Sequence, residues 1–349
     1  MNPLGNPICK PHTFYHNSTF ISIKSIKYIE FDKKFITFLP NILLYDLFVY
    51  TLISFLGKIR IDKQLKGVFS LLQSTYKTIV HYLYHPLFLI FIIPLSYLLV
   101  GTLYAGQYIH FNLMRFFLLY SFTFINHLLG NFLFKKTKQP VSFNQLSFIV
   151  FELINLLFIY YFASTIHYLA GLLCFFYSLV VHSQFYLVKY GYSWLMLLFT
   201  SIFKGGILTY LSFYIQANFI PMTLFYWSIP LILVLFLIEL GKLQLNYERI
   251  TKLTSENQVN ATFLDKNMFN RISLCLLIFI YIISFIFFIP IFKKLTFIFL
   301  ITIPFAAKLI QSTFYKGETL PTKFKQRTLY LYSISFFIAF SIILFIQFN

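Results

Sequence analysis

The sequence predicts an all-α, polytopic membrane protein, and three observations support this fold class. Nine apolar stretches are each long enough to cross a bilayer, whose hydrocarbon core is about 30 Å thick and needs roughly 20 helical residues. Of the 349 residues, 59% are hydrophobic and 11% are charged, whereas a soluble domain has roughly 25% charged residues. The basic residues between the stretches also lie almost wholly in every second loop.

The apolar stretches are continuous and predict helices. Only helices and closed barrels satisfy the backbone inside lipid, and the strands of a barrel alternate apolar and polar residues, which these stretches do not. We therefore predict a nine-helix transmembrane bundle. The predicted spans are residues 85–106, 112–134, 146–163, 166–185, 193–215, 223–241, 272–292, 295–310 and 329–346.

The positions of lysine and arginine predict the orientation of the bundle, because basic loops stay in the cytoplasm. Basic residues precede the first span and recur in the loops after spans two, four, six and eight, whereas the opposite loops hold only Lys293 and Lys294. Among the residues counted as cytoplasmic are Lys135, Lys136, Lys138, Lys189, Lys242, Arg249, Lys316 and Arg327. The segment before span one is therefore predicted to be cytoplasmic, and Asn349 to face the other side. Such anchoring lysines also account for the net charge of +18, so we expect membrane lipids and no nucleic acid as partners.

The chain divides into an N-terminal extension, residues 1–61, and a transmembrane domain, residues 62–349. Residues 42–57 are apolar but short and contain Asp46. An interfacial or re-entrant segment is favoured there over a further span, because spanning would move five lysines to the side that has few basic residues. Residues 62–84 place apolar side chains near helical spacing and predict an amphipathic helix that lies on the membrane ahead of span one.

Ionisable residues inside the spans are the first candidates for function, because they are costly in lipid. Lys204 lies within span five, too deep to reach the interface easily, and Glu239 lies at the cytoplasmic end of span six. For these two, structural and functional roles are about equally supported, and we expect Lys204 to face the protein interior. For a second group, snorkelling or hydrogen bonding between helices is favoured; its members are Arg115, Glu152, His167 and His182.

Motifs of soluble enzymes are missing from the sequence. There is no P-loop, no GxSxG, no HExxH and no GxGxxG after a strand. Cys9, Cys174 and Cys275 lie far apart and form no CxxC pair, which argues against a disulfide framework or a zinc site.

Several short sequence motifs lie in a definite order along the nine predicted spans. His85-Pro86 precedes span one, which ends near GTLYA at residues 101–105, and span two ends in NHLLGNFLFKKTKQP. Tyr177-Ser178 lies in span four, Lys189 leads into span five, and span six ends in IELGKLQLNYERI. Over about residues 65–347 this layout resembles the UbiA superfamily of intramembrane prenyltransferases, which have nine helices and a cytoplasmic N-terminus.

The resemblance implies a cytoplasm-facing cavity that binds an isoprenoid diphosphate and a lipophilic acceptor. The substrate-binding residues it suggests are Asn131, Lys135, Tyr177, Lys189, Lys204, Glu239 and Asn246. In the family, aspartates after the positions of Asn131 and of span six hold Mg²⁺. Here Phe132 and Lys135 occupy the first motif, and Glu239 and Glu248 are the weak candidates for metal ligands in the second. We therefore expect Mg²⁺ only if the protein is an active prenyltransferase. The alternative is a catalytically inactive relative that binds an isoprenoid or another lipid.

Two other classes of function stay open. A glycan polymerase, flippase or transporter-type component would also be apolar and poor in motifs, and a membrane scaffold subunit would need no ligand. Such polymerases often carry one large extracytoplasmic loop. The longest loop here, residues 242–271, is predicted to be cytoplasmic, and this favours the UbiA-like interpretation.

The orientation is directly testable with topology reporters. A reporter fused after Lys138 should be cytoplasmic, and one fused after Asn218 should be external, because the positive charges are concentrated in the loop that contains Lys138 and in every second loop after it. The opposite labelling at both positions would reject the predicted orientation.

Overall fold

The computed structural model describes residues 85–138, 145–253, 264–314 and 322–348. These residues are almost entirely helical, and no strand occurs among them. Three predictions concern residues outside the described part of the chain, namely the extension 1–61, the apolar segment 42–57 and the amphipathic helix 62–84.

The described chain contains α-helices that we number α1 to α10, together with two segments of other helix types. A π-helical segment, Phe203–Ile207, joins α5 to α6 without a break, and a 3₁₀ segment, Lys293–Thr302, leads into α9. The α-helices are Pro86–Ala105, Leu113–Lys138, Gln145–Thr165, Tyr168–Lys189, Ser193–Ile202, Leu208–Ala217, Met222–Leu253, Lys266–Phe292, Ile303–Phe314 and Thr322–Phe348.

Eight helical stretches in the described residues are long and apolar enough to cross a membrane. The protein is thus a multi-pass integral membrane protein whose described residues form an all-helical bundle. The first six stretches and the last correspond to predicted spans. The remaining one, Asn267–Ser312, has 46 residues and covers the predicted spans seven and eight together.

This long stretch folds back on itself. The chain reverses at Lys293, whose φ is +50°, and the rings of Phe288 and Phe299 then stack with centroids 5.2 Å apart. Farther along the two arms, the hydroxyls of Tyr281 and Thr302 are 2.6 Å apart. The stretch is therefore a hairpin in which the first part of the returning arm is 3₁₀, and the count of nine transmembrane helices stays a prediction.

Helices α1, α6, α7 and α10 form the interior of the bundle, and α3 lies at its periphery. Helices α1 and α6 approach most closely at Gly101, where a Cβ atom would lie 2.1 Å from the carbonyl oxygen of Thr209. Large apolar side chains of α3 point outward and include Leu146, Ile149, Leu153, Leu156 and Tyr160. An outer surface of this composition suits lipid, because hydrocarbon offers no hydrogen bonds to polar groups.

The π-helical segment is positioned by a close contact with α7. A Cβ atom on Gly205 would lie 2.7 Å from the Cα atom of Ile232, so only glycine permits the two backbones to meet. π-helical segments are rare in proteins, and many of those that occur lie at functional sites. Here the segment carries Lys204 into the bundle beside α7.

Two adjacent glycines allow a matched test of this contact. Gly205→Ala should lower the thermal unfolding temperature in detergent, because its Cβ meets backbone atoms of α7 and overpacking of this kind costs about 1–3 kcal/mol. Gly206→Ala is the control, because its Cβ would meet the end of the Ile232 side chain at 3.1 Å, which can move aside. Equal effects of the two substitutions would contradict the proposed importance of the backbone contact.

Candidate charged site in the bundle interior

Two lysines share one carboxylate in the interior of the bundle. The Nζ atom of Lys204 donates to Oε1 of Glu239 at 2.9 Å. The Nζ atom of Lys242 donates to both carboxylate oxygens, at 2.9 Å and 2.8 Å. We call Lys204, Glu239 and Lys242 the charged cluster.

Local structure explains how the three side chains meet. Glu239 and Lys242 are three residues apart on α7, and such residues are neighbours on a helix surface. Lys204 comes from the π-helical segment that packs against α7. The Glu239 side chain is 4% exposed, whereas those of Lys204 and Lys242 are 14% and 20% exposed. The carboxylate is therefore almost fully enclosed, whereas part of each lysine side chain is accessible.

Polar aromatic residues from four further helices surround the cluster. Tyr97 of α1, His127 of α2 and Tyr177 of α4 lie within electrostatic range of Glu239. The ammonium group of Lys242 lies 5.7 Å from the ring centroid of Tyr330 on α10, which is a cation–π distance. Helices that are far apart in sequence thus converge on one polar centre in an otherwise apolar bundle.

When both lysines are protonated, the charged cluster carries a surplus of positive charge, because two ammonium groups face one carboxylate. Protonation of His127 would add to this surplus and could not cancel it. A charge without a counter-charge is strongly unfavourable in a protein interior. The arrangement therefore suits an anion that supplies a further negative charge.

The structure brings together two of the predicted substrate-binding residues, Lys204 and Glu239, with Tyr177 buried nearby. Lys204 faces the protein interior, as expected from its depth in span five. Asn131 is exposed on α2. The other predicted residues belong to helices, Lys135 to α2, Lys189 to α4, and both Asn246 and Glu248 to α7, but their side chains lie outside the described part of the structure.

Sequence reasoning missed Lys242, which it had counted as a charge in a cytoplasmic loop. Helix α7 continues to Leu253, so Lys242 is a helical residue one turn after Glu239 and bonds to it. The spacing of glutamate and lysine in the ELGK sequence was the available signal, because side chains three residues apart meet on a helix. Tyr97 and Tyr330 carried no comparable signal, since tyrosine is abundant throughout the chain.

A second set of polar residues connects α2, α3 and α4. The side chain of Asn126 donates to Asn155, which donates to Ser178, each bond being 2.7 Å long, and all three residues are buried. Farther along the same helices, the carboxylate of Glu152 contacts the His182 ring. These contacts agree with the expected role of Glu152 and His182 in hydrogen bonding between helices.

Arg115 and His167, the other two ionisable residues for which structural roles were expected, also contact the backbone. Arg115 donates to the carbonyl oxygen of Ile215 on α6 at 3.0 Å. The His167 ring accepts from the backbone N–H of Leu169 at the start of α4. Arg115 therefore connects two helices, as expected from the sequence, whereas His167 caps the start of its own helix.

The described side chains do not fit a Mg²⁺ site. Mg²⁺ takes oxygen ligands, usually carboxylates, and both oxygens of Glu239 accept hydrogen bonds from lysines whose positive charge would oppose the metal. No group of three histidine, cysteine or acidic residues that could hold a metal occurs among the described residues. We therefore derive no chemical step through Mg²⁺.

No protein-family model and no curated protein matches this chain. The resemblance to the UbiA superfamily consequently stays a prediction from the sequence, and the function has to be argued from the geometry of the charged cluster.

Substitutions within the charged cluster should have opposite effects on stability. Glu239→Gln should destabilise the protein by about 3–5 kcal/mol, because it leaves two buried ammonium groups without a carboxylate. Lys204→Gln should be neutral or stabilising in the absence of ligand, because it leaves Glu239 and Lys242 as a balanced pair. Thermal unfolding in detergent measures both effects, and adding Lys204→Gln to Glu239→Gln should recover part of the loss. Greater destabilisation by Lys204→Gln than by Glu239→Gln would contradict the charge surplus.

Proposed function

We propose that this protein is a divergent UbiA-like membrane protein that binds an isoprenoid or another lipid between its helices. The observation that carries the proposal is the charged cluster, in which Lys204 and Lys242 share Glu239 inside an apolar bundle. A lipid with an anionic head would place its head at the two ammonium groups and its chain among the apolar helices. Ligand sites are generally apolar with a few convergent polar groups.

The position of the cluster supports access from the cytoplasmic side. Glu239 and Lys242 lie near the end of the sixth membrane-spanning stretch, Met222–Leu245, which the distribution of basic residues predicts to be cytoplasmic. The partial exposure of both lysines is consistent with an opening on this side. Tyr177, predicted as part of the polar rim, lies within electrostatic range of Glu239.

Binding is better supported than catalysis. Departure of diphosphate from an allylic carbon is promoted by a metal that neutralises the leaving group, and the described side chains do not fit Mg²⁺. Lysines bind phosphate and carboxylate as point charges, which holds an anion without that metal chemistry. The proposal is thus a lipid-binding, catalytically inactive relative, and a prenyltransferase that uses altered ligands is the less supported form.

A second candidate function is a flippase or transporter-type component. It is favoured by the same buried ionic residues, because such groups in multi-pass proteins often mark a substrate pathway. Reconstitution into vesicles with a fluorescent lipid separates the two candidates. A flippase would make lipid from the opposite leaflet accessible to an external quencher, whereas a binding protein would leave the leaflets unchanged.

The protein in nanodiscs should bind geranylgeranyl lipids in the presence of EDTA and should release no diphosphate when Mg²⁺ is added. The reason is that lysines, not a metal, form the described polar site. Native mass spectrometry measures binding, and a coupled assay measures diphosphate release. Lys204→Gln should weaken the binding of an anionic geranylgeranyl lipid. Lys294→Gln, a change of the same type at an exposed residue outside the cluster, should not.

Two outcomes would contradict the proposal. Failure of the protein to bind any geranylgeranyl compound, oleic acid or phosphatidylglycerol would remove the lipid site. Rapid diphosphate release that EDTA abolishes would show that the chain retains metal-dependent catalysis.

A further inference from the structure

We infer that the charged cluster binds a singly charged oxyanion, a carboxylate or a phosphate diester, in preference to a diphosphate. This inference deepens the lipid-binding function proposed above and rests on it for the apolar chain of the ligand. It departs from the diphosphate substrate that the UbiA resemblance implies. The observations that carry it are the charge balance of the cluster and the directions of its hydrogen bonds.

The charge balance sets the number of negative charges that the ligand should bring. With both lysines protonated and His127 unprotonated, two ammonium groups and one carboxylate leave a surplus of a single positive charge. Among acidic residues whose side chains are described, Glu152 pairs with His182, and Asp265 caps the start of α8. Neither compensates the surplus, so one negative charge from a ligand would neutralise the site.

The hydrogen bonds show where this charge would lie. An ammonium group has three N–H donors, and Lys204 gives one of them to Glu239. Lys242 bonds to both oxygens of Glu239 and also lies over the Tyr330 ring. In the described part of the chain, Lys204 is therefore the member of the cluster with N–H donors left for an oxygen of a carboxylate or diester.

The same balance disfavours a diphosphate. A phosphate monoester already carries about −1.5 to −2 charges at pH 7, and a diphosphate carries more. Such a head group would convert the positive surplus into a negative one, and the buried excess would be unfavourable in an apolar interior. The positive charge that would offset it has to come from a metal or from further basic residues, and the described cluster supplies neither.

The experiment compares ligands that share one chain and differ in the charge of the head group. The purified wild-type protein is placed in phosphatidylcholine nanodiscs with EDTA and offered geranylgeranoic acid, geranylgeranyl diphosphate or geranylgeraniol. We expect the acid to bind about tenfold or more tightly than the neutral alcohol, since loss of a buried charge interaction is large. We also expect the acid to bind more tightly than the diphosphate.

The site of binding is tested with the lysine variants. Lys204→Gln should remove the preference for the acid over the alcohol, whereas Lys294→Gln should keep it. Lys204→Arg, which keeps the positive charge, should retain the preference at least in part. A preference that is unchanged by Lys204→Gln would place the anion elsewhere and overturn the inference.

The outcomes separate this inference from the function on which it rests. Tighter binding of the diphosphate than of the acid would overturn the charge argument and leave the lipid-binding function standing. If no geranylgeranyl compound binds but oleic acid or phosphatidylglycerol does, the charge argument stands and the isoprenoid part of the function fails. Oleic acid and phosphatidylglycerol also distinguish a free carboxylate from a phospholipid diester as the source of the anion. Binding of the alcohol as tightly as of the acid would overturn the inference.

Discussion

The need to pair every buried charge is the constraint on which the centre of this bundle depends. Hydrocarbon does not solvate an ammonium group, so Lys204 requires a partner inside the protein, and Glu239 of α7 provides it. The pairing requires the π-helical segment to lie directly against α7, which the absence of a side chain at Gly205 permits. The ion pair between Lys204 and Glu239 thus depends on the backbone geometry of the π-helical segment.

The same constraint orders the contacts among α2, α3 and α4 without a surplus of positive charge. Asn126, Asn155 and Ser178 connect three helices by hydrogen bonds, and Glu152 contacts His182 between α3 and α4. These polar groups find partners within the protein and leave the outer face of α3 to apolar residues. The two regions therefore differ in kind, because hydrogen bonds connect the polar groups between α2 and α4 without a surplus of positive charge, whereas the charged cluster has one positive charge in excess.

Hydropathy predicted the position of the membrane-spanning stretches well, because the thickness of the hydrocarbon fixes the length of a helix that crosses it. Hydropathy could not show that the returning arm of the Asn267–Ser312 hairpin begins with a 3₁₀ segment, since helix type depends on how that arm packs. Counting charges in loops assigned Lys242 to the cytoplasm, because the method assumes that a helix ends where the apolar residues end. The contact between Lys204 and Glu239 was also beyond the sequence, since it depends on how two helices are rotated.

If the chain is UbiA-like, as proposed, its charged cluster gives a positive electrostatic potential at a place where the family has a negative one. A site built from aspartates is negative and gathers a metal before it gathers a diphosphate, so the metal is part of both binding and reaction. A site in which lysines outnumber carboxylates is already positive and attracts an anionic lipid directly. Such a site is suited to holding the head group of an amphiphile without a metal. In the proposed UbiA-like protein, a lipid site without metal-dependent chemistry would follow from Lys135 and Phe132 in the first motif and from the pairing of Glu239 with two lysines in the second.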